Sequence, residues 1–506
     1  MKMSYIRQKL LCDIALFDYY AQNITTIIVY FTKRQYTSFF EVNIHMTNDK
    51  KLQENKDNKH MTLMTEGSIF KNLLFFSIPL ILGNLLQQTY NAVDSIIVGN
   101  CVGSNALAAV GAGTSLINLL IAFGQGAAVG AGVIIAQYLG ARDSKNIEKA
   151  VHTSVAIAFA LGAALTVLGL LFTRKLLIMM NTPAEVLDDA AKYLQIFSLG
   201  LVFNVLYNMA AGILNSAGNS KRSLVYLAAA AVTNVVMDIL FIVVLKMGVV
   251  GAALATDISQ AVSCVLAFAF LMRVPADYKV RLRSIRIEQT MMMRVVRIGL
   301  PTGIQNMVIS LSNILLQSSV NGFGAAAMAG FCAYMKIDGF TVLPALSFSM
   351  AVTTFVGQNY GAGRIDRLKK GVFVTVIMCA VYTFISGIAL LIFDRQVMHL
   401  FSSDESVIEY GIAAMKYFCP FYWVLGTMHA FAGAVRGTGH SMPPMVILLV
   451  SMCLLRIVWI IFILPYFETI DGIFVLYPTT WGIGAVMMAA YFFKARWLGG
   501  KRFLEV

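Results

Sequence analysis

The chain has 506 residues, of which 58% are hydrophobic and only 13% charged. A soluble domain carries about 25% charge, so a water-soluble enzyme or globular binding module is excluded and a polytopic membrane protein is indicated. The formal net charge of +13 does not point to nucleic acid, because the basic residues lie between apolar segments and form no domain interleaved with aromatics.

In chain order, residues 1–45 mix Tyr, Phe and Ile with charges and show no clean charged-then-apolar pattern of a secretion signal, and residues 46–60 are a polar run. Residues 1–65 are therefore expected to be an N-terminal extension, disordered or upstream of a true start at Met61 or Met64, with a regulatory tail as the alternative. A spanning helix needs about 20 mostly apolar residues. On that basis twelve spans are predicted, at 71–99, 106–139, 147–172, 190–215, 222–245, 250–272, 294–320, 325–358, 368–393, 407–435, 441–464 and 472–493. They divide into an N-lobe at 66–273, a basic linker at 274–293, a C-lobe at 294–496 and a tail at 497–506.

Alternate loops concentrate the positive charge: Arg142, Lys145 and Lys149, then Lys221 and Arg222, the linker arginines, and Arg364, Arg367, Lys369 and Lys370. The opposite loops hold only Arg174, Lys175, Lys246 and Arg395 near span ends. Cytoplasmic loops carry the Lys/Arg excess, so both termini are expected inside a cell (plasma or inner) membrane. The seven cysteines are scattered, mostly within spans and without a C-x-x-C pair, and read as small buried apolar residues; no metal site is expected.

The second half repeats the first. Pro79 recurs as Pro301, the run Gln137–Ala141 as Gln358–Ala362, and Gly212 and Gly218 as Gly433 and Gly439, at offsets of 221 or 222 residues. Duplicated membrane bundles carry a substrate site between the halves and work by rocking one half against the other, which points to a transporter. Pro79 and Pro301 each remove a backbone hydrogen bond inside a span and mark candidate hinges.

Few ionisable groups lie within the spans. Asn84, Gln87, Asn91 and Asp94 fall on one face of the first span, and Tyr90 stands one turn before Asp94, where it is expected to hydrogen-bond the carboxyl. Asn234 precedes Asp238 by one turn in the fifth span, and Thr256 and Asp257 lie early in the sixth. Asp94, Asp238, Asn234 and Thr256 share one depth in the outer half of the bilayer. Carboxylates there usually mark ion or proton paths. Two close together favour holding a proton, and with the added oxygens the same site suits Na⁺. Helix-to-helix hydrogen bonding is the blander alternative. The repeat places Asn306 and Asn313 opposite Asn84 and Asn91 but matches neither carboxylate, so coupling chemistry is expected in the first half. Lys336 and Asp338 in the eighth span are candidates for a substrate cavity shared with Asn84, Gln87, Asn91, Asn306 and Asn313. Arg436 and Arg456 are expected near inner span ends. No nucleotide-binding or hydrolase motif is present, so the chain does not read as an enzyme.

These landmarks resemble the multidrug and toxic compound extrusion family of secondary transporters. The resemblance rests on Ile78-Pro79, the run Ala136-Gln137-Tyr138-Leu139-Gly140-Ala141-Arg142 and its echo at residues 357–363, and it covers residues 66–495. It implies an all-α fold of twelve transmembrane helices in two six-helix bundles. In the branch with an N-lobe cation site, the family's coupling residues match Tyr90, Asp94, Asn234, Asp238 and Thr256. It implies exchange of amphipathic organic cations for H⁺ or Na⁺, with no cofactor, no nucleic acid, lipid as surroundings and a monomer as the working unit. A lipid-linked oligosaccharide flippase of the same superfamily is the alternative reading; it would need a cationic cavity, for which Lys336 is the only clear basic candidate.

Overall fold

The computed structural model describes residues 63–498 apart from Asn181 and Glu468. The expectations for residues 1–62 and 499–506 lie outside the described residues. The apolar runs fold into twelve helices: α1 Ile69–Cys101, α2 Ser104–Ala141, α3 Ser144–Met179, α4 Ala184–Ser216, α5 Ser220–Val244, α6 Val249–Arg273, α7 Gln289–Asn321, α8 Ala325–Gly361, α9 Ile365–Ile392, α10 Glu405–Gly437, α11 Met442–Tyr466 and α12 Asp471–Lys494. A one-turn helix, Asp394–His399, joins α9 to α10. Among the described residues eleven helices are long and apolar enough to cross a membrane; α7, also 33 residues long, is not in that set. Its composition explains this, since Gln305, Asn306, Ser310, Ser312, Asn313 and Gln317 dilute the apolar residues.

Each half has its own buried core, one drawn from Val98 to Ile298 and the other from Leu316 to Leu498. Helix α7 contributes to both: Val295 and Ile298 enter the first core, Leu316 and Val320 the second. Its first half lies against α2 at glycine contacts so close that a Cβ on Gly126 would come 2.6 Å from the Gly299 carbonyl oxygen.

The repeated landmarks of the sequence are the contacts that build and join the halves. Gly218 and Gly439 end α4 and α10 with φ of 77° and 95°, a conformation that favours glycine. A Cβ on Gly212 would meet the Ala128 carbonyl oxygen at 2.8 Å, and one on its counterpart Gly433 would meet Ser349 O at 2.5 Å. Across the halves the relation becomes reciprocal. A Cβ on Gly140 would lie 1.9 Å from the Gln358 carbonyl oxygen, and one on Gly361 would lie 1.8 Å from that of Gln137. The Gln137 side chain donates from Nε2 to Gly437 O at 2.9 Å, while Gln358 donates from Nε2 to Ser216 O at 2.7 Å. These contacts close the bundle at the end bearing the basic loops.

A strap before α1 reinforces this closure. Met64 is buried, and its N–H donates to Gln358 Oε1 at 2.7 Å. Arg364 donates to Thr65 O at 2.7 Å, and Arg367 donates to the Met64, Glu66 and Gly67 carbonyls at 3.0, 2.8 and 2.7 Å. The arginines opening α9 thus hold the backbone that leads into α1. The linker after α6 is also docked: Lys149 pairs with Glu288 at 2.9 Å, Arg281 with Glu148 at 3.1 Å, and the Arg281 N–H donates to His152 Nε2 at 2.9 Å. Tyr278, fully buried in this linker, has its phenol pushed up to about 12, by burial first, against the lowering effect of Asn219 and Arg222.

Two outcomes are expected here. Gly361→Ala and Gly140→Ala force backbone apart and should each cost about 1–3 kcal/mol, read as a fall in melting temperature; Gly111→Ala, with nothing within 4 Å of its Cβ, should not lower it. For Tyr278 the neutral phenol is favoured by folding, so its contribution is present below the ordinary value of 10.0 and is lost as pH rises toward about 12. Tyr278→Phe should flatten the alkaline decline of unfolding free energy by roughly 1 kcal/mol between pH 9 and 11, read by denaturant melts, and an unchanged slope would refute this assignment.

Candidate functional site

In the first half the polar residues come from α1, α4, α5 and α6. Asn234 and Asp238 are buried, 1% and 0% exposed, one turn apart on α5. Neither Asp238 carboxyl oxygen, neither Asn234 amide atom, nor Asp94 Oδ1 or Gln260 Oε1 has a hydrogen-bond partner within the protein. Polar atoms buried in this way cost several kcal/mol each unless something satisfies them. Four neighbouring residues in that condition form a site that a proton, a cation or water would complete. The Asp94 charge acts on Asp238, and Tyr193 lies within Coulombic range of Asp94, Asp238 and Asp257.

Backbone geometry changes at this point. Asp238 is the last α-helical residue of α5, and Ile239–Val244 continue as a π-helix. Such wide turns are rare and recur at functional sites. Helix α11 widens at the corresponding place, Trp459–Ile463, so the distortion is duplicated although the carboxylate is not.

The expected Tyr90–Asp94 bond is not formed. The Tyr90 hydroxyl faces the amides of Gln87 and Gln260 instead, so α6 supplies the partner that spacing along α1 assigned to Asp94. Thr256 donates back to Ala252 O at 3.1 Å, which leaves its oxygen lone pairs free to accept. Asp257 packs directly on α4, where a Cβ on Gly200 would stand 2.0 Å from Oδ1.

The remaining polar stripe divides. Asn84 donates to Ser347 Oγ at 2.9 Å and ties α1 to α8, while Asn91 is exposed. On α7, Asn306 is partly buried, and Asn313 accepts from Arg456 Nη1 at 3.1 Å. Arg456 was expected near a span end; it is instead 2% exposed within α11, its guanidinium 4.7 Å from the Tyr477 ring. A position fourteen residues beyond Met442 carries it too deep to reach water. Arg436 does sit in the last turn of α10, where it donates to Gln305 at 3.3 Å. Lys336 is exposed, and among the described residues no ion pair includes it or Asp338. Asp338 Oδ1 lies within hydrogen-bonding distance of the Tyr334 hydroxyl, at 3.1 Å, and of the Tyr422 hydroxyl, at 2.5 Å. Pro79 and Pro301 are buried within α1 and α7.

Gln260, Tyr193 and the Tyr334–Tyr422 pair were missed in the sequence. Gln260 was detectable one turn beyond Thr256. The others depend on neighbours distant in the chain and left no local signal.

With the geometry established, comparison with known proteins gives the lineage. The MatE family model matches residues 79–240 and again 301–462. The chain is 29% identical over 395 residues to the probable multidrug resistance protein YpnP of Bacillus subtilis, covering 78% of this chain and 88% of that one. It is 26% identical to the probable multidrug resistance protein NorM of Thermotoga maritima, covering 79% and 87%. The solved outward-facing structure of a multidrug resistance MATE family transporter of the MOP superfamily shares the fold, with a TM-score of 0.78, 24% identity and coverage of 83% and 94%. A MOP superfamily transporter from Pyrococcus furiosus gives a TM-score of 0.80 at 23% identity, covering 85% and 96%.

Steric reasoning at Asp257 gives a further expected outcome. Gly200→Ala should destabilise by about 1–3 kcal/mol, and adding Asp257→Ala should recover most of the loss; additive losses in thermal melts would contradict the contact.

Proposed function

The chain belongs to the MatE family, and we propose that it is a cation-coupled antiporter that exports amphipathic, mostly cationic organic compounds, with H⁺ or Na⁺ as the coupling ion. Membership makes it a multi-pass membrane transporter of a multidrug-efflux lineage. The finer reading is supported by one observation above others: the unsatisfied buried polar atoms of Asp94, Asn234 and Asp238, drawn from two helices. Such a set gains most from a small positive species that arrives and leaves.

In the proposed cycle, an organic cation occupies the space between the halves while Asp94 and Asp238 are ionised. Arrival of H⁺ or Na⁺ from outside neutralises them and lowers the attraction for the substrate. Helix α1 carries both Asp94 and the buried Pro79, so a change at the carboxylate and a bend at the hinge belong to one element. Return to the other face requires the contacts that Gln137 and Gln358 each make across the halves to part, and a ligand drives this only by preferring one of the two states. The protein is proposed to work as a monomer in the cell membrane with its basic loops and both termini in the cytoplasm.

The test is ethidium efflux from cells or inverted vesicles, with a pH gradient or a Na⁺ gradient imposed separately. Efflux should follow one gradient, and Asp238→Asn should reduce it to background while membrane abundance stays unchanged. Normal efflux by that variant would remove Asp238 from the mechanism. Indifference to both gradients would remove the coupling.

A further inference from the structure

The second half contains a half-buried acid that the preceding mechanism leaves unused. Asp338 on α8 meets Tyr334 one turn earlier and Tyr422 on α10. The two hydroxyls are also in close contact with each other. Three oxygens, Asp338 Oδ1 and the two phenols, thus form a closed triangle of three contacts. The number of protons decides its state. If Asp338 is ionised, two hydroxyl protons serve three contacts, and whichever way they point one contact brings two lone pairs together without a hydrogen between them. If the carboxyl carries a proton, three protons serve three contacts in one circular sense: Oδ1–H to Tyr334, Tyr334 to Tyr422, and Tyr422 to Oδ1. Each group then donates once and accepts once. The geometry fits the neutral acid.

The surroundings agree. Lys336, two residues away, is exposed and points to another side of α8. From α10 the neighbouring titratable groups are Cys419 and Tyr422, from α12 Tyr477, and from α9 Tyr382, whose hydroxyl donates to Phe340 O at 3.2 Å. None is a cation. Arg456 on α11, which shares Tyr477 as a neighbour with Asp338, instead gives Nη1 to Asn313 and lies over the Tyr477 ring. An ionised carboxylate beside Tyr334 and Tyr422, whose rings pack with Phe331, Phe418 and Trp481, would draw that guanidinium to itself. Access is at hand, because Gly339 beside it faces the Gln88 amide of α1, 3.6 Å from where a Cβ would stand, on the side between the halves.

We propose that Asp338, Tyr334 and Tyr422 are a proton-holding site of the second half, distinct from the carboxylates of the first, and that Asp338 is neutral in the conformation closed at the basic-loop end. Releasing the proton to water between the halves breaks the O–H bond of the carboxyl, leaves both electrons on Oδ1 and opens the triangle at one of its contacts.

Infrared spectroscopy of the full chain in liposomes, comparing H₂O with D₂O, reads protonated carboxyl groups directly and does not depend on transport. Wild type should show a deuterium-sensitive acid carbonyl band that Asp338→Asn removes while the bands of other acids persist. Tyr422→Phe keeps the ring and deletes one donor, so the same band should remain but shift. Loss in the first variant and a shift in the second support the site. A spectrum in this region identical to wild type in both variants overturns it, whatever either variant exports; where Asp338→Asn does not fold, the shift or its absence in Tyr422→Phe decides alone.

Discussion

Inside a hydrocarbon slab every polar atom must be satisfied by something within the slab, and this constraint governs the whole molecule. The backbone meets it by forming helices throughout. Many buried hydroxyls meet it by donating back along their own helix, as Thr302, Thr375 and Ser451 do. The two halves then part company. In the second half Asp338 and Arg456 find neutral partners in tyrosines, Asn313 and a ring face. In the first half Asp94, Asn234, Asp238 and Gln260 do not. The second half leaves nitrogens of Arg436, Arg456 and Trp481 without a partner but satisfies Asp338, whereas the first half leaves Asp94 and Asp238 wanting a ligand.

That asymmetry arises within a duplicated frame. Gly218 and Gly439 turn the chain in the same way, Gly212 and Gly433 admit carbonyls at equivalent positions, Ala128 and Ser349, and α5 and α11 widen at matching places. Backbone features have been kept in both copies while side chains at matching positions differ, Asp238 against Trp459. The scaffold therefore fixes where a distortion lies, and the side chains decide what it is used for.

The fold was legible because its signals are local and strong: apolar runs set the helices, and glycines at fixed offsets set the repeat. The candidate site was legible in part. Asp94, Asn234 and Asp238 stand out as polar residues in apolar surroundings, and spacing puts Asn234 and Asp238 on one face. Spacing failed for Tyr90, whose hydroxyl turns to Gln260 on another helix, yet the same spacing holds for Tyr334 and Asp338. Periodicity says which residues share a face; it does not say what the facing helix offers. Arg456 shows the same limit, since a basic residue in a span looks like a snorkelling end until the ring and amide that accept it are seen.

The reciprocal contact of Gly140 with Gln358 and of Gly361 with Gln137 has a consequence for origins. Each half presents both the glycine that admits a carbonyl and the carbonyl that enters, along with a glutamine amide that reaches the end of a helix in the other half. Such a seam is isologous, the surface by which two identical subunits close around a two-fold axis. A free-standing six-helix ancestor would have carried both sides of its own interface and paired with a copy of itself, and joining two such genes end to end would have turned a symmetric dimer into one chain without inventing a single new contact at the seam.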